Sequence, residues 1–155
     1  MLAVDLVETL SALCRSCGSC CDGSLFELVV PSAEDLFEVR QPCEFLSDRS
    51  CQRYVDRPHS CRKFSCGVLA RYAEGSISSD EAGDAVGRFR QVASDLSARL
   101  PGDPGQALAR RIYESEPELM ERARAGDSAA VDALFLVAGY RELRLQFIGT
   151  SEWNG

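Results

Sequence analysis

Apolar residues recur at helical spacing along the second half of the chain, and the first half shows no such regularity. Within "SSDEAGDAVGRFRQVASDLSARL", Val86, Phe89, Val92, Leu96 and Leu100 stand three or four residues apart. That spacing predicts one buried face of an amphipathic helix, with Ser78 or Ser79 as its N-cap. Just before it, "SCGVLARYAEG" predicts a helix that ends near Gly75. Just after it, "PGDPG" (101–105) breaks the chain. A further helix is expected over roughly 105–125, with Pro117 placed to split or kink it. Its "ESEPELMER" segment (114–122) reads as a solvated face, and the paired Arg110 and Arg111 read as surface residues. Asp127 or Ser128 caps the last helix, which carries Val131, Leu134, Phe135 and Ala138. Beyond Gly139, "RELRLQFI" alternates Leu143, Leu145 and Phe147 with polar residues, so a strand and a helix end both fit.

In the first half, Leu2, Leu6, Leu10 and Leu13 form one stripe and predict a short helix over 1–13. "LFELVV" (25–30) predicts a short strand stopped by Pro31 and Ser32, with Ser32 capping a following helical turn that contains Asp35. Residues 41–66 carry cysteines, prolines and arginines without a period, and read as loop organised by something other than a hydrophobic core. The expected fold is mostly α, a small single domain with an irregular cysteine-rich metal-binding half and at most a short β element. Its expected division is 1–75, a cysteine-cluster region, and 76–155, a helical region packed on it.

Composition narrows the function. The chain has 155 residues, 45% of them hydrophobic, enough for a core of its own. A formal charge of −7 argues against a nucleic-acid footprint. "MLAVDLVETLSAL" lacks the basic start of a secretory signal and carries Asp5 and Glu8. No apolar run approaches the roughly 18–20 residues that span a bilayer. A cytoplasmic protein is therefore expected, without membrane or nucleic-acid partners. In a reducing compartment, clustered thiols indicate metal or redox chemistry more than a disulfide framework.

The cysteines are Cys14, Cys17, Cys20, Cys21, Cys43, Cys51, Cys61 and Cys66. The first four form C-x2-C-x2-C-C. A C-x2-C turn lets two sulfurs converge on one ion while intervening amides stabilise the thiolates. Three cysteines spaced by two also suit one corner of an iron–sulfur cluster, which is wider than a single ion. The adjacent Cys20 and Cys21 must aim their side chains apart, so both on one tetrahedral ion is the less favourable arrangement. One or two centres are compatible with eight thiols, and the two sets of four can interleave. Gly18 fits a zinc knuckle, whereas the three-cysteine wrap and the arginines of "DRSCQRYVDRPHSCRKFSC" (48–66) favour an iron–sulfur cluster. Arg49, Arg53, Arg57, Arg62 and Lys63 are dense for an acidic chain; such cations offset an anionic metal–thiolate centre, and a solvated basic loop fits the same residues equally well. His59, the only histidine, reads as a supporting residue, and Tyr54 and Phe64 as packing under the site. Dinucleotide-binding and P-loop motifs are absent, and one histidine rules out a paired-histidine zinc helix.

These motifs resemble the YkgJ-like cysteine-cluster family, described as zinc- or iron-chelating. The residues that carry the resemblance are Cys14, Cys17, Cys20 and Cys21; Cys43, Phe45 and Leu46; Cys51 and Tyr54; and Arg57, Pro58, Cys61, Arg62, Phe64 and Cys66. The resemblance covers about residues 14–66 and implies metal chelation; all eight cysteines are the expected ligands, and Arg57 and Arg62 are expected beside the bound cofactor. A related cysteine motif occurs in enzymes that methylate flagellin lysines, although no methyltransferase signature is present here. The expected cofactor is an iron–sulfur cluster or zinc, and the expected partner a protein or peptide. The alternative is a zinc-stabilised structural module without catalysis.

Overall fold

The computed structural model describes residues 2–29, 33–34, 39–64 and 66–148. The expected Pro31–Ser32 stop and the Ser32 cap with Asp35 lie outside them. The chain is mostly helical. Helix α1 (Leu2–Cys17) is followed by strands β1 (Leu28–Val29), β2 (Val39–Arg40), β3 (Leu46–Ser47) and β4 (Ser50–Cys51). Helices α2 (His59–Lys63), α3 (Gly67–Ala73), α4 (Ser79–Arg99), α5 (Leu108–Arg124) and α6 (Ser128–Ile148) complete the order. The strands form two separate antiparallel pairs, with Leu28 opposite Arg40 and Leu46 opposite Cys51. The region read as loop thus contains a tight hairpin and one helical turn.

The core belongs to α4, α5 and α6, with α1 and α3 against α4. Helix α4 buries Val86, Phe89 and Leu96 as its spacing predicts, and Leu100 just beyond it, together with Ala82, Ala85 and Ala93. Phe89 is the centre of an aromatic group, its ring 4.8 Å from Phe147 and 5.6 Å from Tyr140. Ser78 is the cap of α4. Its hydroxyl accepts from the Glu81 backbone N–H and its own N–H donates to the Glu81 carboxylate, a reciprocal capping box. Ser78→Ala is expected to cost about 1 kcal/mol, read as a fall in melting temperature of about 2–4 °C. The Ser78 amide and hydroxyl hold the Glu81 carboxyl below its ordinary range. Its contribution is therefore present above the unfolded carboxylate pKa and fades as pH falls through the lowered value, so the deficit of the variant should shrink in acid.

The structure bears on three expectations. Helix α5 runs through Pro117 unbroken. Proline removes the bond to the carbonyl of Tyr113, and both residues are exposed, so water can take that carbonyl. Helix α6 continues to Ile148, which decides the "RELRLQFI" ambiguity in favour of a helix end. Its buried face is Ala130, Ala133, Val137, Tyr140 and Phe147, whereas Phe135 is 74% exposed. Arg111 is buried and not a surface residue. Its guanidinium donates to the Ser97 hydroxyl (2.9 Å) and to the carbonyls of Ser97 (2.8 Å), Leu100 (2.6 Å) and Pro101 (3.3 Å). It thereby closes the open C-terminal carbonyls of α4.

Among the described residues, the cysteine-bearing segments have little core of their own. Among the described residues, Leu25 is the one fully buried hydrophobic side chain before Val68. These segments are attached by backbone anchors instead. The Tyr140 hydroxyl donates to the Ser24 carbonyl, and Arg144 Nε donates to that of Leu25. The Leu108 amide donates to the Gly23 carbonyl, and Arg90 reaches the Ser16 carbonyl. Gly23, at φ +84°, has no room for a Cβ, which would stand 2.8 Å from Ala107 Cα.

Candidate functional site

Helix α1 extends past the expected residue 13 and takes in Cys14 and Cys17. The first two cysteines thus sit one helical turn apart on a shared face, and not on a non-helical knuckle turn. Gly18 ends the helix at φ +64°. Its carbonyl accepts from the amides of Cys21 and Asp22 at 2.9 and 3.0 Å, which coils the chain so that Cys20 and Cys21 follow in a tight turn. A Cβ at position 18 would meet the Arg49 carbonyl at 2.9 Å, so the glycine also lets the β3–β4 hairpin approach the turn.

The other cysteines arrive from separate elements. The Cys43 amide donates to the Cys21 carbonyl at 2.7 Å, and the Cys43 carbonyl accepts from Leu46. Leu46 is paired with Cys51 across the hairpin. Cys61 lies in α2, and Cys66 is the residue that caps α3. All eight cysteines are free thiols, half-buried, and all eight line one cavity of about 420 Å³. Its apolar walls include Leu10, Leu13, Phe26 and Phe64, and its floor reaches Val86 of α4 and Phe147 of α6. Phe26 and Phe64 meet edge to face at 4.8 Å.

Burial in these walls works against ionised sulfur. It pushes the Cys21 thiol up to about 12, with further contributions from Cys51, Cys43 and Cys61. It pushes Cys20 well above the ordinary thiol value, aided by Cys17, Cys66 and Cys14. Burial also raises Cys17, countered by the contact of its thiol with the Ser19 hydroxyl at 3.3 Å. Cys43 and Cys66 are raised by burial as well, partly offset by the amides of Phe45 and of Leu69 and Val68 respectively. Several thiolates can therefore coexist here only beside compensating positive charge. A thiophilic metal supplies such charge, so the donor set fits one chemically. Among the described residues, no three Cys, His, Asp or Glu side chains form a ready-made group for a metal ion.

The arginines divide. Arg15, Arg49, Arg53 and Arg57 line the cavity. Arg57 and Arg15 lie over the Tyr54 ring at 4.4 and 5.5 Å, and Arg53 lies over Phe45 at 5.3 Å while pairing with Asp56. Arg62 and Lys63 are exposed in the last turn of α2 and are not among the lining residues, and neither is His59. Tyr54 and Phe64 line the cavity as expected of residues packed under the site. Arg15 and Gln41 also line the cavity and carry no signal in the cysteine motif. Arg15 is marked only by its place beside Cys14, and Gln41 only by its nearness to Cys43. The Gln41 side-chain oxygen is buried with no hydrogen-bond partner among the described residues.

No described helix is long and apolar enough to cross a membrane. A scan against protein-family models and searches of curated proteins and of solved structures each find no match to this chain.

Proposed function

We propose that this chain chelates metal through its eight cysteines, in the manner of the cysteine-cluster family its motifs resemble, and that it works in the reducing cytoplasm. The observation that carries this reading is the convergence of all eight free thiols, from segments between residues 14 and 66, on a single cavity. An iron–sulfur cluster is favoured over zinc because three cysteines spaced by two suit a corner wider than a single ion, and Arg49, Arg53 and Arg57 line the same cavity. When bound, such a cluster supplies one-electron redox chemistry. The chain's own residues enclose it in apolar walls, and Arg49, Arg53 and Arg57 offset the negative charge of its thiolates. A protein or peptide is the proposed partner.

A zinc-stabilised interaction module without catalysis is the second reading. It is favoured by the scarcity of buried hydrophobic residues before Val68 among the described residues, which gives a bound ion a structural task.

The deciding experiment is anaerobic purification, followed by a visible spectrum and assays of iron, zinc and acid-labile sulfide per chain. Brown protein containing iron and sulfide is the expected result. Colourless protein with stoichiometric zinc selects the second reading. Protein that contains neither metal nor sulfide and is folded overturns both.

A further inference from the structure

We infer that the thiols serve two separate centres, one on Cys14, Cys17, Cys20 and Cys66 and the other on Cys21, Cys43, Cys51 and Cys61. This division presupposes the metal chelation proposed above. It does not follow chain order, which would group Cys21 with the first three cysteines and Cys66 with the later ones.

Packing separates the two sets. Cys17, Cys20 and Cys66 rest against the hydrophobic core beside Leu13 and Phe26. Cys14 joins them because it lies one turn before Cys17 on α1. Backbone pairing joins three thiols of the second set, and Cys61 is the remaining one. Cys21 is bonded to Cys43, Cys43 to Leu46, and Leu46 is paired with Cys51. The boundary falls between the adjacent Cys20, which rests against the core, and Cys21, which is bonded to Cys43.

Electrostatic neighbourhood agrees. The thiols that act on Cys20 are foremost Cys17, Cys66 and Cys14, with Cys21 weakest. Those that act on Cys21 are foremost Cys51, Cys43 and Cys61, with Cys14 weakest. Cys66 is influenced by Cys17 and Cys14, and Cys43 by Cys51. The sets also face different surroundings. The first rests on the core, whereas Cys51 of the second lies within the electrostatic reach of Arg53.

The test uses the wild-type, metal-loaded chain. EDTA removes metal in steps under anaerobic conditions, released thiols are capped with N-ethylmaleimide, and capped positions are mapped by peptide mass spectrometry. At half-removal, one complete quartet is expected to be labelled while the other is protected. Labelling that splits a quartet, or all eight positions rising together, overturns the division while leaving chelation standing. Metal-free wild-type protein overturns chelation itself, and the division with it. As a second measurement, Cys21→Ser and Cys43→Ser are each expected to halve the metal content, and the double variant to fall no further. A double variant that loses metal beyond either single change contradicts the division.

Discussion

Protein stripped of its metal is expected to keep α4–α6 and to lose the fold of residues 19–29 and 39–64. The helical half has what it needs without a cofactor. Phe89, Leu96, Val137 and Phe147 are nearly inaccessible, and α4 and α5 both pack on α6. The cysteine segments are different. Their strands are two residues long, and Leu25 is their one fully buried hydrophobic side chain among the described residues. Such short pairs are not stable alone. On the proposed reading, metal–thiolate bonds hold them in place, and metal-coupled folding of this kind is worth on the order of 10 kcal/mol. Hydrogen exchange with and without a chelator is the measurement. The amides of Cys43, Leu46 and Gln52, which bond the carbonyls of Cys21, Cys43 and Phe45, should lose protection altogether. Amides in the middle of α4 and α6 should change little. Equal protection of both halves after complete removal of metal would show that metal does not hold the cysteine segments together.

Arg111→Met is expected to cost about 3 kcal/mol, and Arg110→Met to leave the melting temperature nearly unchanged. The two arginines are neighbours in sequence, yet their environments are opposite. Arg110 is half exposed and pairs with Glu27 and Glu114 in solvent, where ion pairs contribute little. Arg111 is 3% exposed, and its donors serve carbonyls at the end of α4. Methionine fills a similar volume and leaves the Leu100 carbonyl, whose bond to the guanidinium is buried, without that donor, which carries the larger penalty. Differential scanning calorimetry on both variants should show a loss of about 6–12 °C for Arg111→Met alone. Equal melting temperatures would show that water replaces the guanidinium at no cost.

The chain's periodicity reveals this second site in part. Arg111 stands three residues after Leu108 and four before Ser115, on the face that also buries Ile112 and Leu119. A charged residue on an apolar stripe is the available signal, and reading the arginine pair as surface overlooks it.

Sequence alone determined the local features whose physics is local. The α4 stripe from Val86 to Leu100, the Ser78 cap, the "PGDPG" break and the mostly helical class all follow from side-chain spacing and turn chemistry within a few residues. The spacing of the eight cysteines likewise marked them as the residues to watch. Tertiary structure decided what depends on partners distant in the chain. Which face of α6 is buried depends on the close approach of α4 and α5, which small Ala130 and Ala133 permit, so the larger Phe135 is left in solvent. The extension of α1 through Cys17 depends on packing against α3 and α4, which outweighs local preference. The meeting of thiols separated by up to 52 positions in one cavity was likewise beyond the sequence. Chain order specifies only which sulfurs are near along the backbone, whereas the burial of Cys20 and the pairing of Cys21 with Cys43 arise from the folded surface.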